Sequence, residues 1–590
     1  MNILKSIRKQ MILDGIDYYL VDTFDPHGSE YICDYYKLRQ YFSGFTGSNG
    51  LLLVCKDNAY LWTDGRYFVQ AAKELYKGIS LMKMGEKGVP TVREFIKNTV
   101  RRGESIGLDG MLISSDFGAY ISEVCKNKKA NLRTDINYAV SLWQDRPAIS
   151  YTKAFVLEEK YTGLSASKKI GQVRKAIGKD SLFVSKLDDI MWLTNLRGND
   201  IECNPCCYSY LLLDKDNCYI YLNKTAVNPA VRKYLEEQGI TLREYSKVEE
   251  SLKEYVEMAN GCIRFDKASL NYKLFQTIDE SGKGKAEASI IEGMKAVKNK
   301  TEIKNLTEAY VYDSVAVTRF IKYIKEHAAD GLTELDAAAY IDKLRGKLPG
   351  FIELSFPTIS AYGANAAMMH YEATEDNYSV IKPEGMLLVD SGGQYKTGTT
   401  DVTRTIVMGE ISDQVKKDYT LSVCGMLRLM NAVFMKGCSG RNLDILSRGP
   451  LWRKGTDYKC GTGHGIGFCL NVHEGPHRIG WQKARNGMEP ALVAGMIVSD
   501  EPGVYIEGEY GIRIENILLV TKAMSTPDGD FLRFKPLTLV PIDLEAIDTK
   551  YMSSEDIEYL NEYHKLVRGK ISPFLNKSEQ KWLENATKYV

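Results

Sequence analysis

Apolar runs alternate with charged, amphipathic stretches along the first 148 residues. Tyr18–Val21, Leu51–Val54 and Tyr60–Trp62 read as strands of Ile, Leu, Val and Tyr, and the stretches between them as helices; the opening MNILKSIRKQMILDG is an amphipathic helix leading into the first strand. The same order returns over residues 149–297, where a charged helix from Glu158 to Ile177 leads to SLFVSKLDDIMWLT and YSYLLLDKDNCYIYLNK. The pattern predicts two α/β domains, 1–148 and 149–297, related as a diverged duplication and joined through the Arg-Pro break of SLWQDRPAIS. From about residue 298 the texture changes. Thr301 is placed to cap a long amphipathic helix carrying Ile303, Leu306, Val311, Val315 and Ile324, and Thr333 with Asp336 to cap a second, Leu335 to Leu344. Strand patterns then dominate, interrupted by a helical stretch from Val415 to Phe434, which predicts an α+β domain over 298–525. A tail, 526–590, holds PLTLVPIDLEAI and an acidic helix, expected to pack on that domain or on a second subunit.

At 590 residues the chain has room for several cores. Its net charge of +1 and the lack of any run of five like charges argue against nucleic acid and against a polybasic membrane segment. No apolar run approaches a membrane span, and the N-terminus lacks the pattern of a signal peptide, so the expectation is a cytoplasmic protein acting on a small molecule or peptide. Twelve scattered cysteines fit reduced thiols, and Cys203, Cys206 and Cys207 have CxxC spacing without a second pair, so they read as loop cysteines.

The candidate chemistry begins in MLLVDSGGQYKTGTTDVTRTIVM, Met386 to Met408. Three apolar residues run into Asp390, and Asp401 opens a second β-prone run, so both carboxylates sit at strand ends of a hairpin. Symmetric pairing about Tyr395 and Lys396 sets them face to face, about 5 Å apart at Cβ, where like charges oppose pairing unless a cation lies between them. A solvated surface hairpin is the plainer reading of two aspartates. Against it stands a cluster: of seven histidines, His370, His464, His473 and His477 fall between residues 370 and 477. CGTGHGIGFCLNVHEGP places His464 in a glycine-flanked turn, and SDEPG places Glu501 before a proline at the end of an apolar strand. In GIRIEN, alternation sends Ile512 and Ile514 to one face and Arg513 and Glu515 to the other. Asp390, Asp401, Glu501 and Glu515 could not be buried together without compensation; two divalent cations match their charge, and a ligand set of hard oxygens with one imidazole favours manganese. Paired cations activate water for hydrolysis at neutral pH. The account requires both aspartates to face the side of the sheet that Glu515 faces.

DSGGQYKTGTTDVTRT, GTGHGIGFCLNVHEGP, DEPGVY and GIRIEN together resemble the metal-binding signature of the pita-bread metallopeptidases, in particular the long three-domain aminopeptidase P (Xaa-Pro aminopeptidase) group. SGFTGSNG, LWTDGRYFVQAAK, NLRGND and FKPLTLVPI extend the likeness over nearly the whole chain. The resemblance implies creatinase-like α/β N-terminal and middle domains, a pita-bread catalytic domain, and a cytoplasmic homodimer. It implies hydrolysis of the N-terminal Xaa-Pro bond by a bridging hydroxide on two divalent metal ions, manganese first with zinc or cobalt as alternatives. Asp390, Asp401, His464, Glu501 and Glu515 would hold the metals, with Asp401 and Glu515 bridging. Glu501 would also carry the proton to the leaving prolyl nitrogen, His473 would support the tetrahedral intermediate, and His370 would contact substrate. Arg513 would orient the carboxylates, and Arg66 would reach the substrate pocket of its own or a neighbouring subunit. His464 would border the substrate as well as the metal. His477 matches no role and reads as a surface residue. Cys460 stands where the family pattern begins with histidine, which alters a group that shapes the pocket. The rival readings are a prolidase-type Xaa-Pro dipeptidase and a metal-free pita-bread binding protein; the complete ligand set argues against the second.

Overall fold

The structure is a computed structural model and describes residues 3–483, 487 and 489–590. Its contacts divide the chain into two compact units, Met1–Glu158 with Leu164–Ile291, and Glu159–Gly163 with Glu292–Val590.

The first unit holds two six-stranded sheets. One contains β1 (Tyr18–Asp22), β2 (Leu51–Cys55), β3 (Ala59–Thr63), β4 (Ser80–Lys83), β5 (Ser105–Gly107) and β6 (Asn131–Arg133), in the order β4-β3-β2-β1-β5-β6. The other contains β7 (Ser181–Val184), β8 (Ser209–Leu213), β9 (Cys218–Leu222), β10 (Thr241–Glu244), β11 (Ile263–Phe265) and β12 (Gly284–Ala286), in the order β10-β9-β8-β7-β11-β12. Directions match as well as order. In each sheet the central strand runs antiparallel to one neighbour and parallel to the other, and the outermost pair on either side is parallel. The central strands are continuous apolar runs, buried along nearly their whole length, as expected where a sheet is covered on both faces. Cys203, Cys206 and Cys207 lie buried in the loop before β8.

The second unit opens with α1 (Lys300–Glu326). Its cap is Asn299 rather than Thr301: the Asn299 side chain accepts from the Thr301 and Glu302 amides, and the Glu302 carboxylate accepts from the Asn299 amide in return. The next helix, α2 (Glu334–Arg345), is capped by Thr333 and Asp336 as the spacing predicts. Strands follow: β13 (Phe351–Leu354), β14 (Ile359–Tyr362), β15 (Met386–Ser391), β16 (Gly393–Tyr395), β17 (Gly398–Thr399) and β18 (Val402–Val407). They form two three-stranded sheets, β14-β15-β18 and β13-β16-β17. A larger six-stranded sheet has the order β19 (Val433–Met435), β26 (Gly529–Pro536), β25 (Asn516–Thr526), β22 (Ile497–Asp500), β20 (Gly463–Gly465), β21 (Glu474–Ile479). The hairpin of β23 (Gly503–Ile506) and β24 (Tyr510–Arg513) precedes β25. Behind these strands α3 (Asp413–Met430) buries Tyr419, Val423, Met426 and Leu427 against Val498, Leu518 and Val520. The tail helix α5 (Ser554–Ile571) adds Leu560, Tyr563 and Val567 to the same core, and α4 (Gly440–Trp452) lies between β19 and β20 in sequence. At roughly 1.5–3 kcal/mol for each large apolar side chain buried, this shared core ties the tail to the strands that carry the site.

Candidate metal centre

The hairpin forms, with a register two residues away from the symmetric one. Asp390 pairs with Thr403, Gln394 with Thr399 and Tyr395 with Gly398, so the turn is Lys396–Thr397. Asp401 therefore stands diagonal to Asp390, not opposite it, just before β18 begins. Because side chains alternate along β18, Asp401, Thr403 and Thr405 share the face towards which Asp390 points. Both aspartates are buried, at 9% and 4% exposure.

His464 lies in β20, a strand in the interior of the large sheet, not in a turn. The flanking glycines serve the packing of neighbouring strands: a Cβ on Gly463 would stand 1.9 Å from the Ser499 carbonyl oxygen, and one on Gly465 would stand 2.2 Å from that of Glu474. His464 Nδ1 lies 2.9 Å from the Gly465 carbonyl oxygen, which can only accept, so the proton belongs on Nδ1. The Nε2 lone pair is left facing Asp401 Oδ2 at 3.6 Å and Glu501 Oε1 at 3.4 Å. Ser499 fixes both residues, its hydroxyl accepting from the His464 amide at 2.9 Å and donating to Glu501 Oε1 at 3.0 Å.

Alternation through β24 brings the third segment in. Ile512 and Ile514 are fully buried in the core, while Arg513 and Glu515 project towards the aspartates. Arg513 Nη2 donates to Asp390 Oδ2 at 2.6 Å, Nη1 to the Tyr505 hydroxyl at 3.0 Å and Nε to Thr403 Oγ1 at 3.1 Å. Thr403 Oγ1 in turn donates to Glu515 Oε2 at 2.8 Å. Asp390 and Glu515 are thus joined through Arg513 and Thr403, and Asp401, two residues before Thr403, faces the same side.

Electrostatics show what such a cluster lacks. Burial, then repulsion from Asp390 and Glu501, holds the Asp401 carboxyl well above the usual carboxylate range; burial, then Asp401, Asp390 and Glu501, does the same to Glu515. Burial raises Glu501 to about 7, against the lowering effect of Arg513. Four carboxylates converge on one guanidinium, and Asp390 Oδ1 is buried without a hydrogen-bond partner. Donor atoms of Asp401, His464 and Glu515 all lie within 4.8 Å of one another, the spacing of ligands to a common cation. The residues fit a divalent metal centre.

Around it, the His473 ring meets the His464 ring edge-on at 4.3 Å between centroids, and its charge lowers the carboxyl pKa of Asp401 and Glu501. His370 follows Met369, whose carbonyl accepts from Arg513 Nη2 at 3.4 Å. His477 is buried, not on the surface: Nε2 donates to the Ile497 carbonyl at 2.7 Å, and burial lowers its pKa to about 4, so the neutral ring is a packing element of β21. Cys460 is partly exposed, and its carbonyl accepts from Arg448. Arg66 belongs to the first unit, where Nε and Nη2 both donate to the Asp64 carboxylate at 2.9 Å. Thr403, Thr405 and Ser499 escaped the sequence reading, although alternation from Asp401 and from Glu501 points to them.

Sequence models of known families cover the chain in four pieces: Creatinase/Prolidase N-terminal domain over residues 4–136 and again over 145–302, Metallopeptidase family M24 over 304–522, and the C-terminal region of peptidase M24 over 530–590. Aminopeptidase P2 of Arabidopsis thaliana is 36% identical, over 97% of this chain and 86% of its own. A probable Xaa-Pro aminopeptidase P of Tuber melanosporum is 37% identical, over 99% of this chain and 98% of its own. Among solved structures, an X-prolyl aminopeptidase from Caenorhabditis elegans, described as a cytosolic enzyme with a di-nuclear active site, superposes with a TM-score of 0.93 at 33% identity, covering 98% of this chain and 95% of its own. The Xaa-Pro dipeptidase of Bacillus anthracis gives a TM-score of 0.52 at 26% identity and covers 64% of this chain. With likeness to aminopeptidases P from end to end and the carboxylate cluster at its centre, the chain belongs to the Xaa-Pro aminopeptidase P family of M24 metallopeptidases.

Proposed function

We propose that the protein is a metal-dependent aminopeptidase that removes the N-terminal residue from peptides with proline second. The observation that carries this reading is the convergence of Asp390, Asp401, Glu501 and Glu515 with His464 on a face whose neutralising side chain is Arg513. Asp390, Asp401, His464, Glu501 and Glu515 would hold two divalent cations, manganese by the hardness of the oxygen donors. Such a pair supplies a nucleophile from water at neutral pH and polarises the scissile carbonyl.

The chain's own groups do the rest. Glu501, its Oε1 held by the Ser499 hydroxyl at 3.0 Å and 3.4 Å from His464 Nε2, would take a proton and return it to the leaving prolyl nitrogen. His473 stands beside His464 where a donor can meet developing negative charge on the carbonyl oxygen. His370 supplies a substrate contact, and Arg513 holds Asp390 in place. Proline leaves the scissile amide without an N–H, so no group here needs to accept one. Full-length likeness to aminopeptidases P, against partial coverage by the dipeptidase, supports the longer peptide substrate over the dipeptide.

We further infer a division into α/β domains at 1–148 and 149–297, a catalytic domain at 298–525 and an extension at 526–590. We infer a cytoplasmic location as well, which rests on the description of the Caenorhabditis elegans relative; among the described residues no helix is long and apolar enough to cross a membrane. A homodimer is supported by exposed Ile445, Trp452 and Trp481 beside α4, and sedimentation velocity decides it.

The test is turnover of Xaa-Pro-Xaa peptides with and without Mn²⁺, with Asp401→Asn as partner. Losing several kcal/mol of transition-state stabilisation means a fall on the order of 10³-fold in kcat/KM, together with loss of bound metal. Full activity in the variant refutes the assignment, and turnover confined to dipeptides refutes the substrate.

A further inference from the structure

Glu334, the first residue of α2, is a carboxylate with 0% exposure that stands outside the metal cluster. No Lys, Arg or His pairs with it among the described residues. Hydrogen-bond donors from a single segment compensate it instead. The Tyr362 amide donates to Oε1 at 2.6 Å and the Ser379 amide to Oε2 at 2.7 Å. Asn365 Nδ2 donates to Oε1 at 3.0 Å, and the Tyr371 hydroxyl to Oε2 at 2.9 Å. The N-terminal end of α2 adds a favourable dipole. Residues 362–379, bound in this way at both ends and in the middle, carry His370.

The other side of the segment rests on β24. A Cβ on Gly511 would stand 1.8 Å from the Ala366 carbonyl oxygen, so glycine is what allows the two backbones to touch. The Met369 carbonyl accepts from Arg513 Nη2, the nitrogen that also donates to Asp390 Oδ2. The segment is therefore gripped between Glu334 and the strand that positions the carboxylates, with His370 next to the grip.

We infer that Glu334 is a positioning residue for peptide binding: it fixes residues 362–379 against Gly511 and Arg513, and so sets the place of His370 beside the substrate. The inference rests on the aminopeptidase reading. A helix start needs no buried carboxylate; Thr333 and Asp336 already cap α2. What a carboxylate adds is acceptor capacity for two backbone amides, an amide side chain and a hydroxyl at once, which glutamine halves and alanine abolishes.

The experiment uses the full-length, Mn²⁺-loaded enzyme with Glu334→Ala, Glu334→Gln, Tyr371→Phe and Asn365→Ala. Kinetics on an Xaa-Pro-Xaa peptide, bound metal and peptide-resolved hydrogen exchange are compared. Misplacing a substrate group by about 1 Å costs on the order of 100-fold, so Glu334→Ala is expected to lose 10- to 100-fold in kcat/KM. The loss should fall mainly on KM, with metal content retained and exchange quickened over residues 362–379 alone. Tyr371→Phe and Asn365→Ala, which remove single donors, should show smaller rises in KM with the same bias, and they carry the test if Glu334→Ala does not fold. Unchanged KM despite faster exchange of the segment, or unchanged exchange, overturns the inference. A wild-type enzyme without turnover fails the aminopeptidase reading, whereas an active wild type with unaffected variants fails this inference alone.

Discussion

Thr403 has one hydroxyl proton and two lone pairs, and the site uses them in opposite directions: the proton goes to Glu515, and a lone pair receives Arg513 Nε. Valine keeps the shape and removes both bonds. Thr403→Val is expected to weaken Mn²⁺ binding by about 10- to 100-fold, the usual cost of losing a partner that orients a ligand. Titration of the chelated protein measures it, and unchanged affinity would show that Glu515 needs no orientation. This residue was legible in principle, because TDVTRT places Asp401, Thr403 and Thr405 at alternate positions of one strand. Charged and imidazole groups declare their chemistry in sequence, whereas a hydroxyl declares none until its partners are known. His477 illustrates the converse: matching no role, it reads as a surface residue, and the Ile497 carbonyl 2.7 Å away, from β22 of the same sheet, explains its burial.

At the scale of elements, alternation in GIRIEN and the cap at Thr333 follow from local spacing and appear as expected. Register does not. The hairpin turns at Lys396–Thr397 where β16 pairs with β17 on one side and with β13 on the other, in a separate small sheet, a tertiary constraint that no reading of the hairpin alone contains. The displacement is two residues, so the face is preserved; a shift of one would have turned Asp401 away from Glu515. The glycines beside His464 predict a turn and deliver a strand for a similar reason, since glycine marks close approach without saying what approaches. Gly463→Ala, which drives a methyl into the Ser499 carbonyl, is expected to cost about 1–3 kcal/mol and to loosen the metal site with it. Gly569→Ala, in α5 with open space around its Cβ, should instead be neutral or stabilising by up to about 1 kcal/mol. Thermal melting of the pair separates the two cases, and equal melting temperatures would contradict the packing argument.

For the molecule as a whole, the metal centre couples stability to pH. Without cations, Glu501 is raised from an ordinary 4.5 to about 7 in the folded state, and Asp401 and Glu515 are raised with it. Folding then favours the neutral acids, so their contribution is complete below the unfolded values and is lost as pH rises through the folded ones. The chelated protein should therefore melt at progressively lower temperature between about pH 5 and pH 8, whereas the Mn²⁺-loaded protein should not. Parallel melting curves across that range would contradict the fit of the carboxylates to a cation. The two sheets of the first unit bear on how the chain reaches this state. Tandem copies invite one copy's strand to complete the other's sheet, a hazard of repeated domains. Here β1 to β6 all come from residues 18–133 and β7 to β12 from residues 181–286, with no strand exchanged between them. As synthesis proceeds from the N-terminus, the first sheet can close before any strand of the second has left the ribosome, and the order of translation itself keeps the copies apart.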